Sequence, residues 1–207
     1  MDKEAVQKII DYDAVVFDFD GTIADLDINW VKAKEGLSKF LTDVDKHLFL
    51  LLNKKKIGMS EKINIYLKEY GPALKKDISI FSREVEKNFL KSWTPKPDVV
   101  ESINKLKNTG VKLFIWTLNT RPVVDMIVDS FQIDAGVFIE IISFESDLYV
   151  KPDVVYLKQV LKRHNVRRPV YIGDSYYDVV ASKKAKIKYL DFSRTGELFA
   201  KFNNMES

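Results

Sequence analysis

An apolar run near the start of the chain drives straight into two carboxylates: Ala14-Val15-Val16-Phe17-Asp18-Phe19-Asp20-Gly21-Thr22. In an extended strand alternate side chains share a face, so Asp18 and Asp20 are expected to point one way while Phe17 and Phe19 pack the other. Two acids facing one spot repel unless a cation lies between them or one holds a proton. Gly21 lets the chain turn away without a Cβ penalty. Such a strand end can hold a metal and attack an electrophile. Other groups stand at comparable places: Thr117 closes an apolar run, Lys151 precedes Pro152, and Asp174 and Asp178 lie one helical turn apart behind Val170-Tyr171-Ile172-Gly173.

Those positions matter only if the chain brings them together. Four further short runs resemble the first: 111–116 into Thr117, 137–142 into Ser143, 170–172 into Gly173-Asp174, and 187–190 into Asp191. Their β-branched and aromatic content is that of buried parallel strands. Helical spacing lies between them. Pro97 opens one pattern (Val100, Ile103, Leu106), Pro122 a second (Val124, Ile127, Val128, Phe131) and Pro152 a third (Val155, Leu157, Val160, Leu161). Ser175 to Lys184 makes a short fourth. Alternation of this kind predicts an α/β fold with a doubly wound parallel sheet. Ligands in such sheets bind outside the carboxyl ends of the strands, where Asp18, Thr117 and Asp174 all fall.

Residues 24–93 break the alternation. Trp30, Ala33, Leu37, Phe40, Leu41, Val44 and Leu48 recur at helical spacing, and two later groups do the same, 63–70 and 78–89. No β-type alternation is read in this stretch. Ser60 is the expected N-cap of the second group, Gly71-Pro72 its stop, and Pro95-Lys96-Pro97 a stiff return hinge. The expected division is a core of residues 1–23 and 94–207, with an all-helical insertion at 24–93. The tail from Ser193 reads as a short terminal helix (Leu198, Phe199, Phe202).

Composition narrows the chemistry. The 207 residues include 33 Lys+Arg against 30 Asp+Glu, and the positive charges are scattered apart from Lys54-Lys55-Lys56, so no nucleic-acid partner is expected. The chain has no cysteine, which excludes disulfides, thiolate zinc sites and cysteine nucleophiles. Its two histidines, His47 and His164, make a histidine metal site or a Ser-His-Asp triad improbable. Charged residues at 2, 3, 4, 8 and 11 argue against a secretory signal, and no stretch is long and apolar enough to span a membrane. A cytoplasmic location is expected by default. Monomer and dimer are both compatible with the sequence.

Asp18-Phe19-Asp20-Gly21-Thr22, Thr117 at a strand end, Lys151-Pro152 and Gly173-Asp174-Ser175-Tyr176-Tyr177-Asp178 together resemble the four ordered motifs of the haloacid dehalogenase-like hydrolase superfamily. The likeness is closest to its phosphatase branch, which includes phosphoglycolate phosphatases and β-phosphoglucomutases, and the insertion after the first motif resembles that family's helical cap. The resemblance implies Asp18 as a nucleophile forming an aspartyl-phosphate. It implies Asp20 as the acid that protonates the leaving alcohol and later activates water. It further implies Thr117, the Leu118 backbone N–H and Lys151 as phosphate-binding groups. Mg²⁺ would be held by the Asp18 and Asp174 carboxylates and the Asp20 carbonyl, with Asp178 a ligand through water or a support behind the ligands. An all-oxygen donor set suits Mg²⁺ rather than zinc.

The chain departs from the family pattern at three places. Leu118 stands where Asn frequently follows the Ser/Thr, so Asn119 is given no role. Lys186 replaces a frequent Gly, and Asp191-Phe192-Ser193-Arg194 replaces a glycine-rich loop. The expected function is a Mg²⁺-dependent phosphatase acting on a small phosphorylated metabolite. A phosphomutase of the β-phosphoglucomutase type is the alternative, and a catalytically silent binding module a third reading. A dehalogenase is disfavoured because that branch works without metal and lacks the second acid that Asp20 supplies. Asp25, Asp27, the loop from Lys54 to Met59 and Arg83 are the residues of 24–93 considered for substrate contact, and no role is assigned to any of them.

Overall fold

The computed structural model describes residue 9, residues 11–131, residue 133 and residues 135–191; the expected tail helix lies outside them. Five strands form one parallel sheet: β1 (Ala14–Phe17), β4 (Lys112–Trp116), β5 (Phe138–Ile142), β6 (Pro169–Gly173) and β7 (Lys188–Asp191). Their order is β5-β4-β1-β6-β7, so β1 is central and pairs with β4 on one side and β6 on the other. All five expected strands are present.

Alternation along β1 sends its side chains into two separate cores. Val15 and Phe17, with Phe19 beyond the strand, join one cluster, and Ala14 and Val16 join the other. Helices α4 (Pro97–Leu106) and α5 (Arg121–Ser130) cover the first face through Val99, Ile103, Val124 and Ile127. Helices α6 (Val155–Arg163) and α7 (Tyr176–Ala185) cover the second through Leu157, Val160 and Ala181. Helices on both faces are what a parallel sheet requires, because neither face can be left to water. Pro97 starts α4 as expected, whereas Pro152 lies in a turn and α6 begins only at Val155. Lys186 ends α7 in the left-handed region at φ 61°, a conformation that favours glycine.

The segment between the first two core strands is not helical throughout. Ala24–Ile28 (β2) and Leu90–Pro95 (β3) form an antiparallel ribbon. The signal was present: Ala24-Asp25-Leu26-Asp27-Ile28 alternates apolar and acidic, and its burial alternates in step. Between these strands lie α1 (Trp30–Val44), α2 (Lys46–Lys54) and α3 (Met59–Phe89). Asp45 divides the first expected run into two helices by capping α2, its carboxylate accepting from the Leu48 amide at 2.8 Å. The N-cap of α3 is Gly58, not Ser60, which lies buried within the first turn. Gly71 leaves helical geometry (φ 72°, ψ −158°) just before Pro72, which kinks α3 at the expected stop.

The helices carry their own core around Leu41, Tyr66, Leu67 and Ile78, and it continues into Phe144 and Val150 of the segment between β5 and α6. No helix among the described residues is long and apolar enough to cross a membrane.

Candidate active site

The ladder between β1 and β6 runs one residue past the strand end, where the Asp18 amide donates to the Ile172 carbonyl at 2.8 Å. Asp18 therefore leaves the sheet beside Gly173, with Asp174 next along the chain. On the other side the Thr117 amide donates to the Ile142 carbonyl at 2.9 Å, so Thr117 leaves β4 close to the same level. Glycine is needed where the acids crowd in. At Gly21 (φ +81°) a Cβ would lie 2.2 Å from Asp174 Oδ2, and at Gly173 it would lie 2.7 Å from Asp178 Cγ.

Lys151 enters from the segment between β5 and α6 and spends all three of its protons. Its Nζ donates to Asp18 Oδ1 at 2.7 Å, to the Tyr171 hydroxyl at 2.6 Å and to Asp178 Oδ1 at 3.0 Å. The Tyr171 hydroxyl itself donates to Asp178 Oδ1 at 2.6 Å. The other oxygen, Asp178 Oδ2, accepts from the Ser175 amide at 3.0 Å and the Ser175 hydroxyl at 2.6 Å. A carboxylate offers about four acceptor positions, and donors from this chain fill those of Asp178.

The electrostatics divide the acids. Burial would raise Asp178, but the Lys151 charge and the hydrogen bonds from Ser175, Tyr171 and Lys151 hold it below its ordinary value. Burial pushes Asp18 up to about 7, with Lys151 pulling against it and Asp178 adding to it. Asp174 is raised by burial and by Asp178. Burial tends to lower Lys151, yet Asp178 and Asp18 carry it above its ordinary value. One oxygen from each of Asp18, Asp174 and Asp178 lies within 4.8 Å of the others. Excess negative charge at that point, all of it on oxygen, is the environment a hard divalent cation fits.

Asp20 stands apart from this cluster. Its Oδ1 accepts from the Leu26 amide at 3.0 Å, and the Trp30 side chain supplies another hydrogen bond. Burial nevertheless pushes it up to about 6, with the Leu26 hydrogen bond opposing and Asp174 adding. The expectation that Asp20 continues the strand beside Asp18 is not met, because the strand ends at Phe17 and the Phe19 carbonyl accepts three turn amides. Asp18 and Asp20 reach the same cavity all the same.

That cavity, about 560 Å³, is lined by all seven residues selected from the sequence. Sequence reading missed the residues that set its loops. Thr117 Oγ1 donates to Asn119 Oδ1 at 2.8 Å and accepts from the Asn119 amide at 3.0 Å. Asn119 Nδ2 in turn donates to Glu86 of α3 at 3.1 Å, and Glu86 also accepts from the amide and hydroxyl of Thr120. Burial raises Glu86 against those hydrogen bonds. A second tie from α3 is Asn64, whose amide group exchanges hydrogen bonds with the Val150 backbone at 2.7 and 2.8 Å, next to Lys151. Of the residues considered for substrate contact, Met59 lines the cavity. Asp25 instead pairs with Lys96, and Arg83 with Glu145 at 2.8 Å.

A family model described as haloacid dehalogenase-like hydrolase matches residues 15–191. The chain belongs to the haloacid dehalogenase-like hydrolases. Solved structures agree at the level of fold. A Bacteroides fragilis protein assigned as a haloacid dehalogenase-like hydrolase shares 20% identity over 87% of each chain, with a TM-score of 0.59. A HAD-superfamily hydrolase from Ehrlichia chaffeensis shares 16% over 92% of this chain and 97% of its own (TM-score 0.54). A Haemophilus somnus 129PT protein named for predicted phosphoglycolate phosphatase activity shares 18% over 87% of this chain and 84% of its own (TM-score 0.53). No curated protein matches the chain in sequence. Within the hydrolase fold, the parallel sheet with a helical segment between β2 and β3 is therefore shared architecture.

Proposed function

We propose that the chain is a Mg²⁺-dependent phosphomonoesterase in which Asp18 carries the phosphoryl group. The observation that supports this most is the convergence of Asp18, Lys151 and Asp174 on one cavity that Asp20 also lines. In the first half-reaction an Asp18 oxygen attacks phosphorus and the ester P–O bond breaks. The departing oxygen takes its proton from Asp20. In the second half, Asp20 receives a proton from water, and the water oxygen attacks phosphorus. Phosphate leaves and the Asp18 carboxylate is restored. Asp20, raised to about 6, can exchange a proton near neutral pH in this way.

Lys151 fixes the Asp18 carboxylate through Oδ1, which leaves Oδ2 for attack. The Leu118 amide and the Thr117 hydroxyl, once it turns from Asn119 Oδ1, are assigned to the phosphoryl oxygens. Residues 24–93 are taken as the cap that closes over the substrate. Mg²⁺ would be held by the carboxylates of Asp18 and Asp174 and the carbonyl of Asp20, and once bound it would offset charge on the phosphoryl oxygens. Asp178, its acceptor positions filled, serves in this reading by anchoring Lys151. The test is phosphate release from 4-nitrophenyl phosphate with Mg²⁺ or with EDTA. Release should require the metal and be lost in Asp18→Asn. Equal rates for wild type and Asp18→Asn would remove Asp18 as nucleophile.

A further inference from the structure

The floor of the cavity is built for a phosphoryl group, but the alcohol attached to it must lie against the wall that faces the floor. That wall is apolar. Trp30 and Leu37 of α1, Ile63, Phe81 and Val85 of α3, and Phe144 after β5 all line it. Some of the polar groups of the wall are engaged elsewhere, and Ser82 and the exposed Lys34 also line it. Glu86 and Asn119 bond each other, and Ser60 bonds Tyr177. A sugar-like alcohol would bring several hydroxyls to a surface that offers them few partners, and each one buried without a partner costs binding.

Charge narrows the choice further. Five of the lining side chains are carboxylic acids and two are lysines, Lys34 and Lys151. Lys151 has no proton left to offer, and Lys34 lies exposed at the rim. With Asp20 protonated for the first half-reaction and a divalent cation bound, the lining charges roughly cancel, so a second anionic group on the substrate would meet the negative charge of the phosphoryl group with no cation left to offset it.

We infer that the substrate is the phosphate monoester of an uncharged, largely apolar alcohol. This rests on the phosphomonoesterase reading and names the leaving group for it. Steady-state hydrolysis of the n-alkyl phosphates from ethyl to hexyl, by the full chain with Mg²⁺, tests it. Straight-chain alcohols are nearly equal as leaving groups, so the trend along the series reads burial against the wall and not chemical reactivity. We expect kcat/KM to rise about fourfold for each methylene added. Glucose 6-phosphate and phosphoglycolate should fall at least about 100-fold below hexyl phosphate.

In Val85→Gln the hexyl-to-ethyl ratio should shrink about fivefold or more, and an unchanged ratio would contradict placement of the alcohol on this wall. A flat alkyl series, or a preference for either hydrophilic ester, would overturn the inference. If 4-nitrophenyl phosphate is still hydrolysed in that case, the phosphatase reading stands without it. Absence of release from every ester would overturn both.

Discussion

Three lysines are buried among the described residues, and two of them, one in each half of the cavity's surroundings, have environments that could hardly differ more. Lys151, beside the sheet, is 2% exposed and gives a hydrogen bond from each of its three protons. Lys75, in α3, is 8% exposed, and its Nζ has no hydrogen-bond partner among the described residues. It sits over the Phe144 ring at 4.0 Å, and burial lowers it to about 8 against the pull of Asp147 and Glu145. The floor is a saturated polar network whose members hold one another in place, as a reacting centre needs. The helical insertion is held by apolar packing and carries an unsatisfied charge within it. Precision is concentrated where the reaction is proposed, and shape where the substrate would be chosen.

The largest expected effect lies on the floor. Asp18→Asn should lower kcat at least about 1,000-fold, equivalent to about 4 kcal/mol of barrier, in steady-state phosphate release. Retained turnover would mean that the saturated network has a structural role alone. Next is Lys151→Met, which leaves Asp18 and Asp178 buried together without their cation. Urea unfolding should show a loss of about 3–5 kcal/mol.

The same substitution in the insertion should act in the opposite direction. Lys75→Met removes an unpartnered ammonium and should raise stability at pH 7 by about 3 kcal/mol. In the wild type, folding depresses Lys75 from its ordinary 10.5 to about 8. The unfolded chain therefore binds more protons between those values, and this contribution to stability rises with pH across that window. The advantage of Lys75→Met should accordingly be full below pH 8 and fade towards pH 10.5. If Lys75→Met destabilises at pH 7, the contrast between the two lysines is broken.

The smallest effect concerns the join. Glu86→Gln places an amide donor opposite the amide and hydroxyl donors of Thr120. It should cost about 1–2 kcal/mol of stability and about tenfold in kcat/KM, read by urea unfolding and steady-state rates. An unchanged kcat/KM would show that the loop after β4 keeps its shape without α3.

The floor was legible in the sequence because strand ends are. An apolar run that stops at a polar residue states both the element and the place where its last side chain emerges, and Asp18, Thr117 and Asp174 were found in this way. The residues that steady them carry no such mark. Tyr171 reads as an ordinary aromatic in a buried strand, although its hydroxyl joins Lys151 to Asp178. Glu86 reads as one polar residue in a helix, although folding buries it against Thr120. Their roles arise from tertiary approach, Glu86 to Thr120 across 34 residues of chain and Tyr171 to Lys151 across 20, which local spacing does not encode. The ribbon of β2 and β3 was missed for another reason: five alternating residues were outweighed by the long helical pattern that follows them.

The most direct measurement is covalent trapping at residue 18. The enzyme is mixed with Mg²⁺ and a phosphate ester, quenched in acid, reduced with borohydride and digested for mass spectrometry. Reduction of a phosphorylated aspartate yields homoserine, so the peptide containing Asp18 should show that mass change only when substrate and metal were both present. Steady hydrolysis with an unmodified Asp18 peptide, or with the change at another acid, would contradict the proposed role of Asp18.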